Sequence, residues 1–151
     1  MKKLFSILIL CVMGLSLAAC GDDEDDTQTL PDPEGTFETY LINESTNLAS
    51  CYIKWSSPNN LVNTYNTYIT DLGEKNGLAE VVKAQLPEYG SGAMNVACKP
   101  GHGYILMCGH NGYGALTYYC GVYVVKNLKN QNGSIYGAEI KFISLGDSSN
   151  R

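Results

Sequence analysis

Cys98, His102, Cys108 and His110 fall within thirteen residues and are the densest set of chemically capable side chains in the chain. Cysteine thiolates and imidazole nitrogens are the ligands a tetrahedral zinc site uses. The spacing C-x3-H-x5-C-x-H matches no finger pattern, and cysteines oxidised in an exported chain cannot serve as thiolates, so no metal is expected. The same residues could form a nucleophilic pair, a thiolate activated by a neighbouring imidazole. The sequence offers no third residue to orient His102 or His110, and both histidines adjoin glycines in expected turns. No catalytic set is therefore assigned, and a hydrolase using His102 or His110 is kept only as an alternative. The glycine-flanked segments 101–103 and 109–112 are not phosphate loops, because no Lys-Ser/Thr follows them. No cofactor is expected.

Disulfides are the stronger expectation. Outside Cys11 and Cys20 there are four cysteines, Cys51, Cys98, Cys108 and Cys120, an even number that permits three connectivities. Cys108 and Cys120 lie equally far from Gly114. If the glycine-rich segment is a hairpin turn, they face each other across the ladder, which leaves Cys51 for Cys98. Buried thiols are the competing reading, since cysteine is often a small core residue.

Aromatic side chains are the other candidate surface. The chain has eleven tyrosines and one tryptophan, and tyrosine offers a flat apolar face with a polar tip. Trp55, Tyr113, Tyr118, Tyr119 and Tyr123 are the ligand-binding candidates, with Tyr65 and Tyr68 nearby in the pattern. Strands also favour tyrosine for packing alone. Adjacent Tyr118 and Tyr119 must face opposite sides of a strand.

The elements that would carry these residues read as strands. Residues 36–43 form the first, and 50–56 the second, with Cys51, Ile53 and Trp55 on its inward face. Residues 57–60 break the pattern, and 67–72 form a short third strand. Residues 78–86 fit either a helical face or a strand; extended structure with one helical turn is expected. Residues 93–99 alternate. Residues 103–109 are almost continuously apolar, as a strand buried on both sides requires. Residues 115–125 form the longest strand, Asn132-Gly133 marks a hairpin turn, and 135–145 close the fold. Seven or eight short strands indicate an all-β domain, a small antiparallel sandwich or barrel.

The N-terminus speaks to location. Lys2 and Lys3 precede an apolar run to Leu17 that is shorter than the about 20 residues a spanning helix needs. Leu17-Ala18-Ala19-Cys20 resembles the lipobox of bacterial lipoproteins, which implies cleavage before Cys20 and lipidation of that cysteine; the alternative is an ordinary secretory signal. Asp22 to Glu34 carries seven acidic residues and no basic one. This resembles the acidic export tag of surface lipoproteins in the Bacteroidetes, and also suits a solvated spacer. The division is residues 1–19 as signal, 20–35 as lipidated tether, 36–147 as one β domain and 148–151 as a tail.

The formal charge of the whole chain is −5. Loss of residues 1–19 removes two lysines and leaves eight basic against fifteen acidic residues, or −7. The tether accounts for that excess, since residues from Thr36 onward carry eight of each sign. A neutral domain has no basic face for nucleic acid.

Asp71-Leu72-Gly73 with Gly77-Leu78, followed by Lys99-Pro100-Gly101-His102-Gly103-Tyr104, resembles a family of small Bacteroidetes lipoproteins of unknown function. That resemblance brings no activity, ligand or catalytic residue. The expected function is a non-enzymatic binding or adhesion module for glycan or protein, held to the outer membrane by its lipid and facing the cell surface, with a periplasm-facing anchor as the other orientation. A structural accessory subunit of an envelope complex is the alternative.

Overall fold

The structure is a computed structural model that describes residues 37–48, 52–65, 67–88, 90–109 and 117–147. The signal, Cys20, the acidic tether, Cys51, His110 and Tyr113 lie outside the described residues. Two antiparallel sheets form a sandwich. The larger has the order β1 (Glu38–Asn43), β9 (Ile135–Asp147), β8 (Thr117–Lys129), β7 (His102–Gly109), β5 (Thr67–Glu74). The smaller runs β2 (Asn47–Leu48), β3 (Ile53–Ser56), β4 (Asn60–Asn63), β6 (Asn95–Ala97). One helix, α1 (Leu78–Val82), completes the described elements.

Strand alternation assigns the two faces of the larger sheet to different cores. Tyr104, Leu106 and Cys108 on β7, with Cys120, Val122 and Val124 on β8, point toward the smaller sheet and meet Ile53, Trp55 and Leu61. The odd-numbered set, Ile105, Met107 and Tyr119, points the other way onto Leu78 and Val81 of α1. Strand β7 is therefore covered on both sides, as its apolar run requires.

Segment 78–86 opens with the helical turn that the sequence allowed, α1, and none of it is strand. Five residues cannot hold a helix in isolation, so α1 depends on the sheet beneath it. Val81 sits where β7 and β8 present Gly103 and Gly121; a Cβ at Gly103 would stand 2.5 Å from Val81 Cγ2, and one at Gly121 3.1 Å from Val81 Cγ1. The Tyr119 hydroxyl donates to the Pro87 carbonyl at 3.3 Å and holds the chain after the helix against the same face.

The break at 57–60 is a hairpin turn, and the strand after it, β4, was missing from the sequence pattern because Asn60 and Asn63 flank only two apolar residues. The last two strands run longer than expected, thirteen residues each. The reversal between them spans 130–134, where Gly133 takes φ +83°.

The chain seals both long edges of the sandwich by crossing between sheets. On one edge β1 passes through 44–46 into β2. On the other, Ala93 exchanges two backbone hydrogen bonds with Ile69 of β5, and Met94 then accepts one from Asn63 of β4.

Gly103→Ala is expected to cost about 1–3 kcal/mol by overpacking against Val81. In a denaturant double-mutant cycle with Val81→Ala the combined loss should be smaller than the sum of the two single losses. Strict additivity would show that α1 does not pack where described.

Candidate functional site

A concavity among the described residues opens at the end of the sandwich where β1, β3 and β9 converge. It has a volume of about 380 Å³. Trp55 and Ile135 supply apolar lining, Tyr136 an aromatic wall, and Asn43, Glu44, Ser45 and Ser57 the polar groups. Trp55 is only 2 % exposed, whereas Tyr136 is 45 % exposed. An apolar lining with a few convergent polar groups is the usual composition of a small-ligand pocket.

Each wall has a local cause. Asn43 closes the turn after β1: its Oδ1 accepts from the backbone N–H of Ser45 at 2.8 Å and of Thr46 at 2.9 Å. This asparagine-driven turn sets Glu44 and Ser45 at the rim. Glu44 Oε1 accepts from the Ser57 backbone N–H at 3.2 Å, tying the β1–β2 turn to the β3–β4 turn. Gly137 lets β1 approach the start of β9, since a Cβ there would lie 2.4 Å from the Ile42 carbonyl oxygen. The neighbouring Tyr136 is thereby held beside Asn43.

Trp55 is fixed by Asn59. Its indole Nε1–H donates to Asn59 Oδ1 at 2.7 Å. Asn59 Nδ2 donates in turn to the Cys98 carbonyl at 2.7 Å and to Asn127 Oδ1 at 3.3 Å. One asparagine thus joins the β3–β4 turn, the chain after β6 and strand β8.

The described aromatic candidates, Trp55, Tyr118, Tyr119 and Tyr123, do not assemble into one surface. Trp55 lies in the core between the sheets, and Tyr119 and Tyr123 pack on the helix-covered face. Tyr118 is exposed. The pocket instead pairs Trp55 with Tyr136, which the sequence reading passed over because it placed Tyr136 in an ordinary strand. The signal that could have found it is its position directly after the Asn132-Gly133 turn, at the open end of the sandwich.

His102 gains the orienting residue that the sequence did not reveal. Its Nδ1–H donates to Asp71 Oδ1 at 2.9 Å, with the side chains 15 % and 28 % exposed. The same Asp71 oxygen accepts from the Gly73 backbone N–H at 2.8 Å. Among the described residues no hydroxyl or thiol is hydrogen-bonded to His102, so the geometry is that of a clasp between β5 and β7. It sits at the irregularity between Asp71 and Glu74, where the β5–β7 register shifts. The remaining turn residues join the same corner. Lys75 N–H donates to the Gly101 carbonyl. The buried Tyr104 hydroxyl donates to the Ala97 carbonyl at 2.8 Å and accepts from the Lys99 N–H at 3.0 Å.

Cys98, Cys108 and Cys120 are buried thiols in this structure. Cys120 stands opposite Leu106 and Cys108 opposite Tyr118, so the two sulfurs are diagonal rather than directly opposed. The β7–β8 register is centred one residue before Gly114, which offsets them by two positions and keeps them on the same face. Burial pushes the Cys98 thiol up to about 12. The hydrogen bond to Cys120 pushes the Cys108 thiol up, with burial adding to it. Burial pushes the Tyr104 phenol up as well. Among the described residues no three His, Cys, Asp or Glu side chains group as a metal site would require.

Fold and site together define a small all-β sandwich with a polar-aromatic pocket at one end. The chain belongs to the family of the domain of unknown function DUF5036, whose profile matches residues 40–150. Comparison with curated proteins and with solved structures returns no match.

Two outcomes test this account of the buried polar groups. Asp71→Ala should cost about 1–2 kcal/mol and His102→Ala about half as much, because the aspartate loses two donors and the histidine one acceptor. The reverse order in urea unfolding would contradict the clasp. Stability should also fall on the alkaline side. Cys98 and Tyr104 have folded pKa values raised above their ordinary 9.0 and 10.0. Their contribution is complete below about pH 9 and is lost as pH rises through the folded values. Urea melts from about pH 7 to 11 should show that decline, and a flat profile would refute it.

Proposed function

We propose that this protein is a binding module of the bacterial cell envelope, lipidated at Cys20 and displayed on the outer-membrane surface, that takes a short, uncharged saccharide in the pocket between β1, β3 and β9. The observation that carries the reading is the pocket's composition. An exposed tyrosine ring shares a cavity of about 380 Å³ with a carboxylate and two serines beside a buried indole. A pyranose presents an apolar ring face and a rim of hydroxyls. The first suits Tyr136 and the second suits Glu44, Ser45 and Ser57. The lining contains no lysine or arginine, so an acidic sugar would meet Glu44 without a compensating cation.

The envelope location is supported by the lipobox-like Leu17 to Cys20 and by the acidic run after it. An extended, anionic leader would hold a neutral domain away from the membrane and leave its pocket open to external ligands. A glycan role also agrees with a compact sandwich whose turn ends, unlike its covered faces, carry exposed polar side chains.

The single tryptophan supplies the readout. Trp55 lines the pocket, so titration with neutral mono- and oligosaccharides should perturb its fluorescence saturably. Tyr136→Ala and Glu44→Gln should each weaken binding at least tenfold, about 1.4 kcal/mol, with an unchanged far-UV spectrum. Silence across a broad neutral glycan panel, or Tyr136→Ala binding as tightly as the parent, would remove the saccharide reading. Mass spectrometry of the protein from its native membrane tests the location separately, with a diacylated or triacylated Cys20 as the expected N-terminus.

A further inference from the structure

We propose that Cys108 and Cys120 are joined by a disulfide in the exported protein, covalently linking β7 to β8 within the inter-sheet core. The proposal rests on the export reading above and is independent of the saccharide site. Both side chains lie in the cluster between the sheets, 5 % and 4 % exposed. They are diagonal neighbours on one face of the β7–β8 ladder, offset by two positions. Diagonal pairs on flat strands stand farther apart than direct pairs. Here the β8–β9 register shifts between Tyr119 and Cys120, and such an irregularity bends a strand and re-aims its side chains. The two cysteines sit one and three residues from Gly109 and Thr117, the last β7–β8 pair among the described residues.

Closing the bond needs an oxidant, a disulfide-bearing thiol oxidase or small-molecule disulfide of the compartment. One cysteine, as its thiolate, attacks the oxidant's S–S bond and expels a thiolate. The second cysteine then attacks the mixed disulfide and expels the oxidant's other sulfur. Two thiol protons and two electrons leave the protein, and the oxidant becomes a dithiol or two thiols. Both sulfurs are buried once the sheets have packed, and thiolate formation at Cys108 is suppressed there. The exchange therefore belongs to folding, when β7 and β8 have paired and the smaller sheet has not yet covered them. Afterwards the same burial shields the bond from reductants.

The test uses the full-length chain isolated from the envelope, denatured without reductant in the presence of an alkylating reagent and digested. The expected result is a cross-linked peptide containing Cys108 and Cys120, two hydrogens lighter than the sum of the reduced peptides, with neither cysteine alkylated. Reduction should lower the thermal midpoint by on the order of 10 °C. The Cys108→Ala/Cys120→Ala double variant should have a midpoint indifferent to any reductant acting on this pair. Alkylation of both cysteines in protein whose leader has been removed would overturn the disulfide while leaving export intact. A link from either cysteine to Cys98 or Cys51 would overturn the pairing. Loss of the linked peptide only in protein retaining residues 1–19 would place the failure in export.

Discussion

A sheet that is apolar on both faces has to be covered twice, and most of this molecule follows from that requirement. Tyr104, Leu106 and Cys108 need one cover; Ile105, Met107 and Tyr119 need another. The smaller sheet supplies the first. A five-residue helix and the chain following it supply the second, although neither has the length to be stable alone. The dependence is mutual. Gly103 and Gly121 clear a space into which Val81 fits, so the glycines are fixed by the helix as firmly as the helix is fixed by the sheet.

Covering the faces leaves the ends. Backbone turns cannot be buried without satisfying their polar groups, so the ends of the sandwich stay wet and carry asparagine, glutamate and serine. At one end two turns are drawn together by specific side chains: Asn43 accepts within its own turn, Glu44 accepts from the neighbouring one, and Asn59 accepts from Trp55 and donates to Asn127 on β8. The pocket therefore forms where the packing problem is already solved. Glu44 and Ser45 at the rim belong to neither core, whereas Trp55 belongs to both the core and the pocket.

The parts of the fold written in local periodicity were legible in the sequence. The continuous apolar run of 103–109 announced a doubly covered strand, and Asn132-Gly133 announced its hairpin. The inward face of Ile53 and Trp55 was visible from alternation alone. The helix was not, because Leu78, Val81 and Val82 suit either period and the choice is made by two glycines more than twenty residues downstream. Strand β4 was hidden because its two apolar residues are too few to show a period. The site was least legible of all. Asp71 and His102 are 31 positions apart, Glu44 and Ser57 13, and Asn43 and Tyr136 93. Such juxtapositions depend on strand order, which spacing along the chain does not encode.

The residues of the 71–75 and 99–104 segments also have a physical explanation, and it is architectural. Asp71 and Gly73 shape the end of β5, Gly101 receives Lys75, His102 closes onto Asp71, and Tyr104 holds the 97–99 backbone from within the core. Apart from the local Asp71–Gly73 turn, these contacts tie β5, β6 and β7 to one another, at a corner that shares no lining residue with the pocket between β1, β3 and β9. The two are linked through Asn59, which accepts from the Trp55 indole at the pocket and donates to the Cys98 carbonyl within the backbone that Tyr104 holds, so the corner also helps to fix the indole.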